Sequence, residues 1–222
     1  MKYVEKWTSA ERKAMQVIQA YTYTNCFVKN ITLWAHSACR KLRGQGKDIV
    51  LDLGCGTGDH FPYVNSRKII GVDINEDRLK IARERYPHAD IRHEDIFNLS
   101  FPNGSVSSIV SIGTLEHLDP LNDALQNIHR VLAQAGEFIF CIPTEGYLYR
   151  LGRNIVTKRH VEKVTGVDYN ALLRKEHINR CQDILVALKK YFVVDKLLGV
   201  PFKWPIISLN IFIVGRCLKK PE

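Results

Sequence analysis

The chain has 222 residues, of which 45% are hydrophobic and 25% charged, with 14 glycines and 8 prolines. That balance is close to the globular average and excludes a disordered, collagen-like or small disulfide-stapled chain. Thirty-two Lys and Arg against 23 Asp and Glu give a formal charge of +9, which suits anionic substrates, nucleic acid or an acidic membrane surface. No stretch reaches the roughly 18 uninterrupted apolar residues of a membrane span, and the segment up to Lys13 is too charged for a signal peptide, so the expected compartment is the cytoplasm. The six cysteines, at 26, 39, 55, 141, 181 and 217, form no CxxC pair, which leaves reduced thiols and no zinc ribbon. No internal repeat or linker cuts the chain, and a single domain over 1–222 is expected.

The first forty or so residues lack Pro and Gly until Gly44, and Val17, Tyr21, Thr24 and Val28 fall near helical spacing. One or two helices are predicted there, a helical cap over 1–46 closed by Gln45 and Gly46. From Asp48 the pattern becomes short β-branched runs separated by amphipathic stretches. Strands are predicted at Ile49 to Leu53, Lys68 to Asp73, Ala89 to His93, Val106 to Ile112 and Glu137 to Ile142. Helices fall at Glu76 to Tyr86, with Leu79, Ile81 and Ala82 available to the sheet, and at Asp119 to Leu132. This alternation implies parallel βαβ crossovers and a core over 47–142.

The stretch 143–176 breaks the alternation with Tyr147, Tyr149 and Tyr169 beside Arg150, Arg153, Lys158, Arg159 and His160. It reads as an insertion over the site. A helix from Asn179 to Lys190, a strand from Tyr191 to Leu198, a turn-rich Pro201 to Pro205 and a strand from Leu209 to Cys217 close the chain over 177–222. The two closing strands form a hairpin, so the last runs antiparallel to an otherwise parallel sheet.

The informative run is Val50-Leu-Asp-Leu-Gly-Cys-Gly-Thr-Gly-Asp59, a buried strand entering a loop with glycines at 54, 56 and 58. Glycine lets backbone approach a ligand closely. The spacing is GxGxG, not the GxGxxG of a dinucleotide fold, and Asp52 and Asp59 would repel a phosphate and welcome a cation. Here the sequence resembles the class I S-adenosylmethionine-dependent methyltransferases, from Ile49 to about Ile142 and more weakly beyond. Leu51 to Gly58 matches that family's first motif, and the cofactor's methionyl ammonium and sulfonium agree with the charge argument.

The resemblance implies a Rossmann-like α/β fold, a seven-stranded sheet of order 3-2-1-4-5-7-6 with helices on both faces. It implies a cofactor site of Asp52, Gly54, Cys55, Gly56 and Gly58, with Asp73, 17 residues after Gly56, on the ribose hydroxyls. Ile74 would lie against the adenine, Asp95 would accept its amino group, and the backbone of Ile96 would meet the ring. The carbonyl near Ile112 or Gly113 would meet the ammonium. The late motif matches at Val131-Leu-Ala-Gln-Ala-Gly136, a helix end and turn before strand five. S-adenosyl-L-homocysteine would be the product.

Methyl transfer from a sulfonium leaves a neutral thioether, so alignment of the acceptor matters most and a base is needed only if the acceptor must lose a proton. His117, just past strand four in Ser111-Ile-Gly-Thr-Leu-Glu-His117, is the leading base, with His177 and Glu116 behind it; a capping or supporting histidine is the bland reading of His117. Glu116, His117 and His177 could also surround a divalent ion, as in the metal-assisted ubiquinone-pathway and small-RNA methyltransferases. Those carry a further Glu three residues before the Glu-His pair, where this chain has Gly113, so no metal is expected. No AsnProProTyr tetrad follows strand four, and neither Cys55 nor Cys141 has the context of a cytosine C5 nucleophile.

The insertion would form the acceptor pocket through Tyr147, Tyr149 and Arg150, suited to an anionic, partly apolar acceptor. Phe202 and Trp204 beside Lys203 suit a peripheral membrane contact, against the plainer reading that Trp204 packs in the core. The C-terminal third also resembles the type-11 small-molecule group, which methylates sugars, quinones and lipid-linked intermediates. The expected activity is O- or N-methylation of such a metabolite. The alternatives are an RNA methyltransferase, disfavoured because the basic residues are spread along the chain, and a silent cofactor-binding subunit, whose signature would be decay of the glycine loop, Asp73 or Asp95.

Overall fold

The computed structural model describes residues 7–44 and 49–220. Helix α1 (Ser9–Thr24) opens with a capping box in which the Thr8 side chain accepts from the Glu11 N–H and the Glu11 carboxylate accepts from the Thr8 N–H. Asn25 stops α1 and starts α2 (Cys26–Leu42), its side chain accepting from the N–H groups of Phe27 and Val28 at 3.1 Å, as N-cap asparagines do. Val28 therefore lies in a different helix from Val17 and Tyr21, and among the described residues two helices precede the sheet. Gln45, Gly46 and the expected boundary beside them lie outside the described residues.

The strands are β1 (Ile49–Leu53), β2 (Lys68–Asp73), β3 (Asp90–His93), β4 (Val106–Ile112), β5 (Leu132–Pro143), β6 (Phe192–Val200) and β7 (Phe212–Lys219). They form one seven-stranded sheet of order β3-β2-β1-β4-β5-β7-β6. β1 through β5 pair in parallel, while β7 lies antiparallel between β5 and β6. The crossover helices are α3 (Glu76–Arg85), α4 (Leu121–Val131) and α8 (Cys181–Tyr191).

Most element ends differ from the sequence reading by one or two residues, and two strand starts differ by more. β5 starts at Leu132, which pairs with Val106, and the ladder resumes at Glu137 opposite Ser108; the expected turn survives as residues 133–136 bulging between these pairs. β6 extends to Val200, and β7 begins at Phe212 because Ile207–Leu209 coil into a 3-10 turn. In α3, Leu79 and Ala82 are buried but Ile81 points to solvent; with a rise of one residue per 100°, it lies off the face that Leu79 and Ala82 share.

Strand alternation builds two cores. On one face Leu51, Leu53, Ile70, Val72, Phe138, Phe140 and Ile142 pack against Leu125 and Ile128 of α4 and Ile184 and Leu188 of α8. On the other, Val50, Val110, Ile139 and Val214 meet Ala35, Ala38, Cys39 and Leu42 of α2, and Phe61 and α3 extend this face over β2. Truncating fully buried Phe138 or Phe140 to alanine would cost about 3–5 kcal/mol. α2 also buries His36, whose Nδ1 lies 3.1 Å from Nδ1 of His60, and Tyr63 stacks on both rings.

The insertion is helical: α5 (Tyr147–Arg153), a π turn (Asn154–Lys158), α6 (Arg159–Thr165) and α7 (Tyr169–Glu176). It shares a satellite core with α1, where Ala14 meets Val161, Tyr169, Leu172 and Leu173. Lys175 pairs with Glu11 at 2.8 Å, and the Tyr21 hydroxyl donates to the Val156 carbonyl. The expected N-terminal cap and insertion thus dock on each other. Among the described residues no helix is long and apolar enough to cross a membrane.

Candidate functional site

The glycine loop is pinned to the end of β2. The N–H groups of Gly54 and Cys55 both donate to the Val72 carbonyl at 2.8 and 3.0 Å. The Asp73 carboxylate accepts from Gly56 N–H through Oδ2 and from Asn75 N–H through Oδ1, each at 2.8 Å, and each oxygen keeps acceptor capacity for a further donor. All three glycines of the loop have positive φ, and two of them show what this serves. Gly54 has φ +72°, and a Cβ there would sit 2.3 Å from the Thr114 hydroxyl; Gly56 has φ +52° and opens on free space, the nearest atom being Arg78 Cδ at 3.9 Å. Gly54 thus locks the loop to the β4 exit while Gly56 offers bare backbone to a ligand. Gly58 turns back against Tyr86 and Phe61.

Asp52 is buried on β1, and burial, then the charges of Asp73 and Asp59, push its carboxyl up to about 7. A cationic ligand would relieve that strain on the carboxylate. Asp59, read from sequence as the second attracting charge, is instead paired with Arg85 at 2.7 Å, so the acidity facing a ligand comes from Asp52 and Asp73. The Cys55 thiol is pushed up by burial and by Asp52 and Asp73, which makes it inert. Ile74 is half exposed, and Asp95 is exposed and caps the turn after β3 by accepting from Phe97 N–H at 3.0 Å. The Ile96 side chain is buried and its carbonyl accepts from Asn127 at 2.6 Å. Gly113 N–H donates to the Cys141 carbonyl, fixing Ile112 and Gly113 at the end of β4. An open glycine cradle beside two carboxylates fits a ligand with a cationic end and a diol.

Past β4, the turn Leu115–His117 is sewn to residues 176–179. The Glu116 carbonyl accepts from Ile178 and Asn179 N–H, and the Asn179 side chain donates to the carbonyls of Leu115 and Leu118 at 3.0 and 2.6 Å. This joins His117 and His177, whose ring centroids are 5.2 Å apart. Nδ1 of His117 lies 3.0 Å from the Glu176 carbonyl; a carbonyl can only accept, so this nitrogen carries the proton and Nε2 is left as a lone pair. Burial lowers the His117 pKa, which keeps the ring neutral.

His177 is the opposite case. Burial disfavours its charge, but the Glu145 hydrogen bond at 2.6 Å and the charges of Glu116, Glu176 and Glu145 outweigh it and raise the pKa. Burial likewise pulls Glu145 upward and His177 more than offsets it, so Glu145 stays below its ordinary range. Glu116 is buried, its Oε2 has no hydrogen-bond partner, and burial first, with Glu145 behind it, raises it to about 7. Its Oε1 lies 3.9 Å from Nε2 of His117. One ligand atom from each of Glu116, His117 and His177 lies within 4.8 Å of the others.

A cavity of about 660 Å³ opens beside His177, lined in part by Glu145, Arg153, Asn154, Arg174 and Arg180. Arg153 holds Asn170 through one terminal nitrogen while its Nε is buried without a partner. Of the residues expected in the acceptor pocket, Tyr147 and Arg150 lie exposed on α5, and Tyr149 packs on the satellite core within reach of the charges of Glu145 and Glu116; α5 also lends Arg153 to the cavity. The sequence reading also missed Glu145 and Asn179. Glu145 follows the carboxyl end of a central strand, the position where open α/β sheets place ligands.

Residues 51–140 match the type-11 family model described as a methyltransferase domain. A probable S-adenosylmethionine-dependent methyltransferase of Mycolicibacterium smegmatis is 35% identical over 103 residues, 46% of this chain and 40% of that protein. A demethylmenaquinone methyltransferase of Tropheryma whipplei is 30% identical over 143 residues, covering 61% and 60%. The chain therefore spans less than two thirds of the length of these curated relatives. In fold, it is similar to a solved S-adenosylmethionine-dependent methyltransferase of Thermotoga maritima, with a TM-score of 0.69 at 21% identity over 97% of this chain and 100% of that one. Residues 51–140 thus match a type-11 methyltransferase domain, the whole chain shares the Rossmann-like fold of the solved methyltransferase, and the cofactor in the relatives' names is S-adenosylmethionine.

Proposed function

We propose that this chain methylates an oxygen or nitrogen atom of a small acceptor carrying an anionic group, with His117 as the base. The observation that carries this reading is the neutral His117 with Nε2 free, at the exit of β4 and joined through His177 to an arginine-lined cavity. The bound cofactor supplies a methyl group activated by its sulfonium charge. The chain aligns the acceptor and, where this is a hydroxyl, takes its proton at His117 Nε2. Glu116, 3.9 Å away, then stabilises the imidazolium. Arg153, Arg174 and Arg180 suit a phosphate or carboxylate, as a phosphorylated sugar or a lipid-linked precursor bears; a quinone acceptor would need a carboxylate. Asp52, Gly54, Cys55, Gly56, Gly58, Asp73, Ile74, Asp95, Ile96, Ile112 and Gly113 are the proposed cofactor site.

The test is transfer from labelled S-adenosylmethionine to paired acceptors with and without a phosphate. The phosphorylated member is expected to be preferred, and Arg180→Gln to raise its KM with little change in kcat; equal use of both members would overturn the anionic assignment. Cofactor binding without transfer to any acceptor pool would favour the silent subunit. A second reading rests on the unpartnered Glu116 Oε2, which with His117 and His177 forms a three-ligand set for a divalent cation. Activity lost on chelation and restored by magnesium would support it.

A further inference from the structure

Two adjoining segments on the outside of the cap carry apolar side chains into solvent. On α5 and the π turn, Tyr147, Leu151 and Ile155 recur every four residues and are 66%, 42% and 63% exposed, an apolar stripe facing away from the protein. In the loop between β6 and β7, Phe202, Trp204 and Leu209 are 49%, 72% and 50% exposed. The segments touch: the first residues of α5 pack on the 3-10 turn of the loop, so closely that a Cβ on Gly146 would meet the Ile207 carbonyl. Thr144 also bonds the backbone of Asn210 and Ile211.

The exposure of the loop's apolar residues is enforced. Asn210 is fully buried; its Oδ1 accepts from Phe202 N–H at 2.9 Å, and its Nδ2 donates to the carbonyls of Trp204 and Ile206 at 2.7 and 2.9 Å. A polar side chain thus occupies the inside of the loop and its apolar ones are turned out. A loop shaped by its own core would do the reverse.

The charged residues within these two segments are basic, and the acids nearest in sequence, Glu145 and Glu162, face His177 and Lys158. Residues 147–159 contain Arg150, Arg153, Lys158 and Arg159, residues 200–210 contain Lys203, and neither segment holds an Asp or Glu. Trp, Tyr and Phe interleaved with Lys and Arg match the headgroup region of an anionic bilayer, where aromatic rings sit at the interface and each basic residue near the surface adds attraction.

We infer that this face docks on an anionic lipid surface, with Trp204 and Tyr147 entering the headgroup region. Arg153 and Asn154 line the arginine cavity from the same helical segment, so docking would hold that cavity at the bilayer; this consequence alone rests on the methyltransferase reading, and the docking does not.

The test is flotation of the full chain with phosphatidylcholine vesicles containing phosphatidylglycerol, and with phosphatidylcholine alone. Binding to the anionic vesicles is expected, reduced by raised salt and weakened about tenfold or more by Trp204→Ser together with Leu151→Ser. An unchanged circular-dichroism spectrum and thermal midpoint show that the variant is folded. No flotation of the wild type, or flotation that the variant and salt leave unchanged, overturns the inference. So does a dimer in sedimentation that Trp204→Ser dissolves while vesicles are ignored, since the face would then belong to a second copy.

Discussion

Glu145 holds His177 through a 2.6 Å contact between its Oε1 and the ring Nδ1, although the two residues are 32 positions apart. Glu145 reaches it from a backbone with φ +51°, an uncommon conformation for a residue with a side chain. Glu145→Gln removes the charge-assisted hydrogen bond and one of the charges that together outweigh burial, so the His177 pKa should fall. NMR titration of the ring protons in chelator-treated protein reads this directly, and an unchanged midpoint would assign the raised pKa to Glu116 and Glu176 alone.

His117→Ala should lower turnover about a hundredfold or more, the range of a lost general base, and leave cofactor affinity unchanged. Because the His117 pKa is lowered, the neutral base persists below the ordinary imidazole range, and at saturating cofactor this residue should cost the wild-type rate nothing around neutrality and lower it only in acid. Full activity of the variant across pH would remove His117 as the base.

Cofactor affinity should follow the ionisation of Asp52. A cationic ligand favours the carboxylate, so a carboxyl held up to about 7 must release its proton on binding in mild acid. Affinity should therefore weaken as pH falls below about 7, with proton release measured by calorimetry in buffers of different ionisation enthalpy. Asp73→Ala, which also frees Gly56 N–H and Asn75 N–H, should weaken binding about tenfold or more; an unchanged affinity contradicts the ribose assignment.

The buried His36–His60 pair should make stability fall in mild acid. Burial lowers them from 6.5 to about 4 and about 3. The unfolded chain therefore binds protons below about 6.5 that the folded chain refuses, and stability falls as pH drops through that window. His36 alone contributes roughly 3 kcal/mol at full displacement. Denaturant midpoints measured between pH 7 and 4 should fall steeply in the wild type and less in His36→Phe.

What the sequence discloses and what it conceals follow from how local each cause is. β1, β2 and β4 are continuous buried runs bounded by turn residues, and their limits can be read to the residue. The start of β7 cannot, because Leu209 is apolar yet exposed and Asn210 is polar yet buried, an inversion created by side-chain bonds to a loop eight residues away. Glu116, His117 and His177 can be gathered by resemblance. The pairing of Glu145 with His177, and the meeting of Arg153 with Arg174 and Arg180, depend on how α5 and α7 are set together, which no spacing encodes.

β7, the last of the described strands in sequence, lies inside the sheet. Until it arrives, β5 presents an unpaired edge carrying Phe138 and Phe140, and β6 has no neighbour on either side. A chain emerging from the ribosome must keep that edge from pairing with other nascent chains until residue 219 is free. The sheet cannot close before β7 is available, and a ribosome stalled before Phe212 would leave the β5 edge open to other chains.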